Sequence, residues 1–352
     1  MDTWTLRVID IRAEAHNTKT IFVERIDGPL SYQAGQFLTL LLQIHGREHR
    51  RSYSFSTAPG IDPVAAITIK RVPNGEVSRY LLDHLRVGDI LHTLPPAGRF
   101  TLDEAADPLV FIAAGSGIVP VFSLLKTVLA LQSHHKVILI TQQHDPAASP
   151  FHAQLHALTT IYGKDRLRWV EWLSVRDGRL NNWLLEEWIL TLLPPVVTVD
   201  PLSLMDHPSQ AALPHFYLCG PPAFMRMAQF TLRLLGFPDE QIKKENFTVE
   251  YIPPPPLLTD TTPRQITIHQ KDATFSFEAA WPDTILQAAE RRHISLPYSC
   301  RGGRCSTCTA KCLSGKVKMS INEALAEKDL QEGLVLTCVG YAETDITLSF
   351  RQ

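Results

Sequence analysis

Little in this sequence leans to one extreme. The charges nearly cancel, with 34 Lys and Arg against 36 Asp and Glu, a net −2. No global basic surface is therefore offered to nucleic acid, whose phosphates need clustered cations. At 45% hydrophobic and 20% charged residues, the chain is not of the disordered class. Cysteine is scarce, six in 352 residues, which excludes a small disulfide-stapled fold. The opening Met1-Asp2-Thr3-Trp4-Thr5-Leu6-Arg7 has no basic segment followed by an apolar run, so no secretory leader is expected. An unbroken apolar stretch is missing too. Pro108 to Gln132 holds one charge, Lys126, but Gly115-Ser116-Gly117 and Pro120 interrupt it. A buried strand, a turn and a helix are expected there, and no membrane span. Together these absences predict a reducing, cytoplasmic setting, where clustered cysteines favour metal ligation over disulfides.

At about 150 residues per domain, the length predicts two or three domains. The first hundred residues alternate β-rich runs (Phe37 to Ile44, Ser52 to Ser56, Ala66 to Val72) with breaks at Pro59-Gly60 and Pro73-Asn74-Gly75. This is the pattern of an antiparallel barrel or sandwich. From about residue 104 the period changes. Apolar strands at Leu109 to Ala114, Lys136 to Thr141, Leu167 to Leu173 and Phe216 to Cys219 alternate with helical segments, which predicts a parallel α/β sheet. Residues 194–214 look like a surface insertion. Pro253-Pro254-Pro255-Pro256 admits neither helix nor central strand and marks a linker. The expected domains are 1–103, 104–249 and 264–352, with the proline-rich linker at 250–263. The last carries strands at Gln265 to Gln270, Thr274 to Glu278 and Ile346 to Phe350, and a helix near Thr284 to Arg292.

Four cysteines follow the spacing Cys300-x4-Cys305-x2-Cys308-x29-Cys338. C-x4-C-x2-C with a distant fourth cysteine is the plant-type [2Fe–2S] pattern, so these four are the expected metal ligands. A zinc site prefers paired short spacings, and a Rieske centre needs histidine ligands absent from this loop. Gly302, Gly303, Ser306 and Thr307 let the loop wrap closely. Cys312 breaks the spacing and is expected to be a free thiol. The flanking Leu296-Pro297-Tyr298-Ser299 and Val335-Leu336-Thr337 resemble the cluster loops of plant-type ferredoxins, and Asn322-Glu323-Ala324-Leu325 resembles a segment of ferredoxin domains fused to oxygenase reductases. That resemblance implies an α+β, β-grasp-like domain. It is not strongly acidic: from Arg264 to Gln352 there are eleven Lys and Arg and ten Asp and Glu. A tethered domain needs less electrostatic steering than a free one.

Further motifs lie upstream. Arg51-Ser52-Tyr53-Ser54, followed by Gly75-x-x-Ser78, resembles the flavin-binding pattern of the ferredoxin–NADP reductase superfamily. The resemblance implies that Arg51 pairs with a flavin phosphate and Tyr53 lies against the flavin. It places Ser54 near the hydride-accepting nitrogen and the phosphates on the backbone at Val77 and Ser78. Arg50 competes with Arg51, and the spacing selects Arg51. Gly115-Ser116-Gly117-Ile118-Val119-Pro120 sits between strand and helix, as a dinucleotide loop must, with Pro120 in place of a third glycine. That form, with Cys219-Gly220-Pro221-Pro222 and Glu245-Asn246-Phe247, resembles the same superfamily. It implies that Cys219 lies beside the nicotinamide and that Phe247 stacks on the flavin.

The order of motifs along the chain resembles oxygenase reductases of this superfamily with a C-terminal ferredoxin domain. The implied cofactors are FAD, with FMN also possible, and a [2Fe–2S] cluster, with NAD(P)H as substrate. The implied catalytic residues are Ser54, Cys219 and Phe247, and the implied partner is an electron-accepting oxygenase or hydroxylase component. Other acceptors, such as a hybrid-cluster protein or a desaturase, stay open, as does a non-enzymatic iron–sulfur carrier or sensor. Ser174 and Arg176 resemble, with a one-residue offset, a pair that contacts the 2′-phosphate in NADPH users. Two other signals are set aside. His152 and His156 lie one helical turn apart but lack a third ligand in sequence. Trp169, Trp172, Trp183 and Trp188 are expected to pack.

Overall fold

A computed structural model describes residues 3–103, 108–131, 135–193, 213–247, 254–270 and 273–350. The expected insertion, apart from Leu213 and Pro214, and the first part of the expected linker lie outside the described residues.

The N-terminal sheet comprises β1 (Trp4–Ala15), β2 (Thr18–Arg25), β3 (Phe37–Ile44), β4 (Arg47–Ser54), β5 (Ala65–Lys70) and β6 (Ile90–Thr93), with helix α1 (Glu76–His84) before β6. Its order is β4-β3-β6-β1-β2-β5, antiparallel throughout. A bridge from Phe55 to Ile67 joins the two ends and closes the barrel. Closure removes the open edges that would otherwise invite aggregation. The two-residue turn His45-Gly46 has φ of 50° and 74°, the double left-handed geometry that fits the twist of a hairpin. The expected 52–56 strand ends instead at Ser54, because Phe55 crosses to pair with β5. Strands β1, β2 and β6 carry no clear sequence signal. Bulges at Val8/Asp10 and Ala13/Ala15 break the alternation that would reveal β1.

The next sheet is parallel. Its elements are β7 (Leu109–Ala114), α2 (Ile118–Leu131), β8 (Val137–Gln143), α3 (His152–Arg166), β9 (Leu167–Leu173), α4 (Ser174–Asp177), α5 (Asn182–Leu192), β10 (His215–Cys219), α6 (Pro222–Leu234) and β11 (Ile242–Glu245). The order β11-β10-β7-β8-β9 reverses direction at β7. Every residue of β7 is buried. Leu109, Phe111 and Ala113 face one apolar layer; Val110, Ile112 and Ala114 face the other. A strand covered on both faces reads as a continuous apolar run, as this one does. Barrel and parallel sheet form one compact unit, Trp4–Pro96 with Phe100–Asn246.

The other unit contains Phe247–Gln352 with two short segments, Met1–Thr3 and Ala97–Arg99. Its elements are β12 (Arg264–Gln270), β13 (Ala273–Ala279), α7 (Ile285–Glu290), β14 (Thr309–Ser314), β15 (Val317–Met319), α8 (Glu327–Gln331), β16 (Leu334–Leu336), β17 (Gly340–Ala342) and β18 (Ile346–Ser349). The five-stranded sheet runs β13-β12-β18-β14-β16, with β12 and β18 parallel at its centre. Ile285, Leu286, Ala288 and Ala289 of α7 share one apolar core with Ile266 and Leu348 of that sheet. A capping box of Thr284 and Gln287 starts α7. Residues 254–257 carry no regular structure. The Trp281 indole donates to the Pro256 carbonyl and Lys318 to the Leu257 carbonyl, both at 3.2 Å. Among the described residues no helix is long and apolar enough to cross a membrane.

Candidate functional site

The switch point at β7 is where open parallel sheets bind ligands, outside the carboxyl ends of their strands. Cys219 ends β10 and pairs in register with Glu245, which ends β11. Ser54 ends β4 of the barrel, 191 residues from Glu245, and its hydroxyl donates to Glu245 Oε2 at 3.3 Å. All three side chains are buried. Burial pushes the Glu245 carboxyl up to about 8, partly offset by the Ser54 hydrogen bond. Burial, then the Glu245 carboxyl, raises the Cys219 thiol well above its ordinary range. At neutral pH the site thus holds a hydroxyl, a thiol and a protonated carboxyl, all uncharged. Such a site can position a nicotinamide ring and govern one proton, and it holds no thiolate nucleophile. Glu245 is legible in the sequence only as the first letter of a motif. Its partners come from another domain and from a strand register.

This protonation has a measurable consequence. Because the Glu245 pKa is raised, its contribution to stability is full below its unfolded value near 4.5 and is lost as pH rises toward about 8. We expect the melting temperature of the holoprotein to decline across that window. Glu245→Gln, a neutral isostere, should flatten the decline by an amount on the order of a few kcal/mol. Calorimetry at stepped pH reads it, and identical slopes in both proteins would refute the assignment.

The dinucleotide turn is built by close approach. Gly115–Gly117 forms a 3-10 turn between β7 and α2, and Gln143 donates to the Gly115 carbonyl at 3.1 Å. A Cβ on Gly117 would fall 2.0 Å from the Cys219 carbonyl oxygen, so this turn and the Cys219-Gly220 backbone touch directly. Pro120 is buried in the first turn of α2, and Ser116 is partly exposed. Pro221 caps α6 without a side-chain hydrogen bond, and a Cβ on Gly220 would crowd Ala114. Gly117 and Gly220 thus serve close packing, while the space beside Gly115 is open, as the approach of a pyrophosphate requires.

On the barrel, residues 49, 51 and 53 share one face of β4 by alternation. His49 Nε2 lies 3.7 Å from Glu76 Oε2 in the first turn of α1, so this face borders the start of that helix. Gly75 is the N-cap and offers no side chain. The first helical bond runs from Arg79 N to Gly75 O, leaving the N–H groups of Glu76, Val77 and Ser78 ahead of it. The Val77 side chain is in the barrel core, and Ser78 Oγ binds Val72 N and Gly75 O, so only backbone is offered there. Arg51 is exposed, while Arg50 is engaged by Glu48 at 2.7 Å. Burial pushes the Tyr53 phenol up to about 12, moderated by the Arg51 charge. Ser52 bonds Thr39 on β3 at 3.0 Å, on the face opposite Arg51. A guanidinium beside an open helix N-terminus fits a flavin phosphate.

Ser174 and Arg176 begin and continue α4 after β9, with Arg176 held by two bonds to Asp177 at 2.7 and 2.8 Å. Phe247 is 47% exposed and is the first residue of the C-terminal unit. Of the tryptophans, Trp172 and Trp188 pack on each other and Trp183 is exposed.

In the C-terminal unit the four cysteines of the pattern gather their sulfurs at one point. Hydrogen bonds from the Cys305 and Cys338 thiols hold Cys300 far below its ordinary value, and the Cys338 hydrogen bond also lowers Cys308. Gly302 N donates to Cys300 Sγ at 3.4 Å and Cys300 N to Cys305 Sγ at 3.5 Å. Arg301, Gly303 and Ser306 take left-handed φ of 54°, 72° and 55°, which coils the loop inward. Asn322 Oδ1 accepts from Ala324 N and Leu325 N, and Glu323 N donates to Gly303 O at 3.0 Å. This segment therefore clamps the loop. Thr337 Oγ1 donates to the Cys308 carbonyl at 3.1 Å, tying the segment that carries Cys338 to the loop that carries Cys308. Cys312 stands apart, its thiol directed at the Ser314 and Gly315 carbonyls. Four converging sulfurs, two favouring the thiolate, are a soft anionic donor set that fits a [2Fe–2S] cluster.

Family models match the chain in three places: an oxidoreductase FAD-binding domain at residues 5–102, an oxidoreductase NAD-binding domain at 111–229, and a 2Fe-2S iron-sulfur cluster binding domain at 266–343. The ferredoxin reductase component of 3-ketosteroid-9-alpha-monooxygenase from Mycobacterium tuberculosis is 30% identical, over 96% of this chain and 92% of its own. A component of the 1,2-phenylacetyl-CoA epoxidase of Escherichia coli is also 30% identical, over 98% and 97%. In fold, the chain resembles phthalate dioxygenase reductase, with a TM-score of 0.57 at 21% identity over 99% and 98% of the two chains. The barrel, the parallel sheet and the four-sulfur domain define a flavin and iron–sulfur oxidoreductase. The chain belongs to the reductase family of the ferredoxin–NADP reductase superfamily in which a C-terminal ferredoxin domain follows the flavin and nicotinamide domains.

Proposed function

We propose that the chain is the reductase component of an oxygenase system, drawing electrons from NAD(P)H and delivering them to a separate oxygenase protein. The observation that carries this is the presence, in one chain, of an uncharged Ser54–Cys219–Glu245 site and a four-sulfur site. The relatives named as monooxygenase and epoxidase components support the choice of partner. When bound, flavin supplies the conversion of hydride to single electrons and the cluster supplies the one-electron relay.

The protein's own part is placement. Gly115, Ser116, Gly117 and Pro120 would receive the dinucleotide, with Gly220 and Pro221 opposite. Cys219 and Ser54 would bracket the reacting ring, and Glu245 would keep its proton at Oε1 or Oε2 within reach of Ser54. Arg51, Ser52, Tyr53, Gly75, Val77 and Ser78 would hold the flavin, the last two through backbone. Phe247 would cover its ring. Ser174 and Arg176 would meet the adenosine ribose, and Arg176 must exchange Asp177 for a 2′-phosphate. The domain limits 1–103, 104–249 and 264–352 belong to the same reading.

Anaerobic addition of NAD(P)H to the holoprotein tests it. The visible flavin absorbance should bleach within one turnover, about 0.1 s at a median enzyme rate. Absence of bleaching with either nucleotide would sink the proposal.

A further inference from the structure

The pair His152 and His156 acquires its missing third ligand from the fold. His152 opens α3 and His156 lies one turn on, with ring centroids 4.6 Å apart. The chain then leaves α3 directly into β9, the edge strand of the parallel sheet, and β9 carries Glu171 under the same two rings. One potential ligand atom from each of the three residues lies within 4.8 Å of the others. His152 Nε2 is 3.2 Å from Glu171 Oε1 and 3.4 Å from Oε2. Bonds of about 2.0–2.1 Å to a tetrahedral ion place its ligand atoms roughly 3.3 Å apart, so this pair already stands at ligating separation. Glu171 Oε1 is buried and receives no hydrogen bond, although His152 faces it.

The surroundings hold the rings in place. Trp169, two residues before Glu171 on β9, packs edge-on against both imidazoles, with centroid distances of 5.9 Å to His152 and 4.9 Å to His156. Its indole N–H donates to Thr141 Oγ1 at 2.9 Å, which fixes that wall to β8. The opposite side is open: the His152 and Glu171 side chains are 28% and 21% exposed, and His156 is exposed. Water could complete the coordination there.

We propose that His152, His156 and Glu171 bind one divalent cation of the borderline-soft class, Zn²⁺ or Ni²⁺, at the outer edge of the nicotinamide domain. Two imidazoles and one carboxylate with an open position suit such ions, whereas Ca²⁺ and Mg²⁺ prefer all-oxygen shells. The site is separate from the hydride site, since β8 and β7 lie between β9 and β10.

Isothermal titration of the holoprotein with Zn²⁺ and with Ni²⁺ tests this, alongside His156→Gln and Glu171→Gln. The expected result is one equivalent bound by the wild type, weakened at least about tenfold in each variant, with flavin and cluster absorbance unchanged by the ion. Should Glu171→Gln fail to fold, His156→Gln at its exposed position still decides the matter. Equal binding by wild type and His156→Gln overturns the proposal, as does metal uptake that bleaches the cluster and ignores both substitutions.

Discussion

Cys338→Ser is expected to remove the iron–sulfur cluster while leaving the flavin reducible by NAD(P)H. Cys338 is buried, and its thiol meets both Cys300 and Cys308. Serine would put a hard, protonated hydroxyl among three soft sulfurs, a poor ligand for an iron–sulfur centre. Changes to groups that only support a metal ligand cost about 10–100-fold, so loss of a ligand itself should lower cluster occupancy by about a hundredfold or more. Visible and electron-paramagnetic spectra read the cluster. Ferricyanide reduction, which can draw on flavin directly, reads the front of the chain and should persist. Cys312→Ser is the matched control, because that thiol faces the Ser314 and Gly315 carbonyls and should leave both signals intact. Full cluster content in Cys338→Ser, or loss of both activities, would overturn the assigned electron path.

Gly117→Ala is the second large effect. The added methyl carbon would sit 2.0 Å from the Cys219 carbonyl oxygen, 2.3 Å from its carbon and 2.7 Å from Gly220 N. All three are backbone atoms at a strand end, and no rotamer relieves them. The turn after β7 must part from the end of β10, carrying Cys219 away from Ser54 and Glu245. A displacement near 1 Å in a positioned site can cost about a hundredfold, and kcat/KM for NAD(P)H is expected to fall by that order. Gly115→Ala is the contrast. Gly115 has φ of 57° but open space around its Cβ position, so only the strain of a left-handed residue, about 1 kcal/mol, is expected. Steady-state kinetics with thermal melts separate the two variants, and equal losses would contradict the close-approach account.

Much of this organisation is readable from residues alone. The apolar run of β7, the glycine turn and Cys219 at the end of β10 stand where the alternation of strand and helix puts them, since a doubly covered strand needs no pattern beyond continuous burial. The cysteine spacing is enough to separate the four converging cysteines from Cys312. What escapes a linear reading depends on contacts across distance. Ser54 and Glu245 meet over 191 residues, and Glu171 joins His152 and His156 only after α3 folds back onto β9. Arg176 offers a different lesson: its neighbour Asp177 already holds the guanidinium. Strand β1 is hidden because its two bulges scramble the face on which successive residues fall.

The Ser54–Glu245 contact also bears on how such a protein can be recombined. The four cysteines of the pattern all lie between residues 300 and 338, inside one compact unit, although that unit also takes in Ala97–Arg99 from the N-terminal stretch. The Ser54–Cys219–Glu245 site is divided differently. One of its groups ends a barrel strand and two end strands of the parallel sheet, so a graft of either front domain alone imports half a site. The barrel and the parallel sheet are heritable only as a pair.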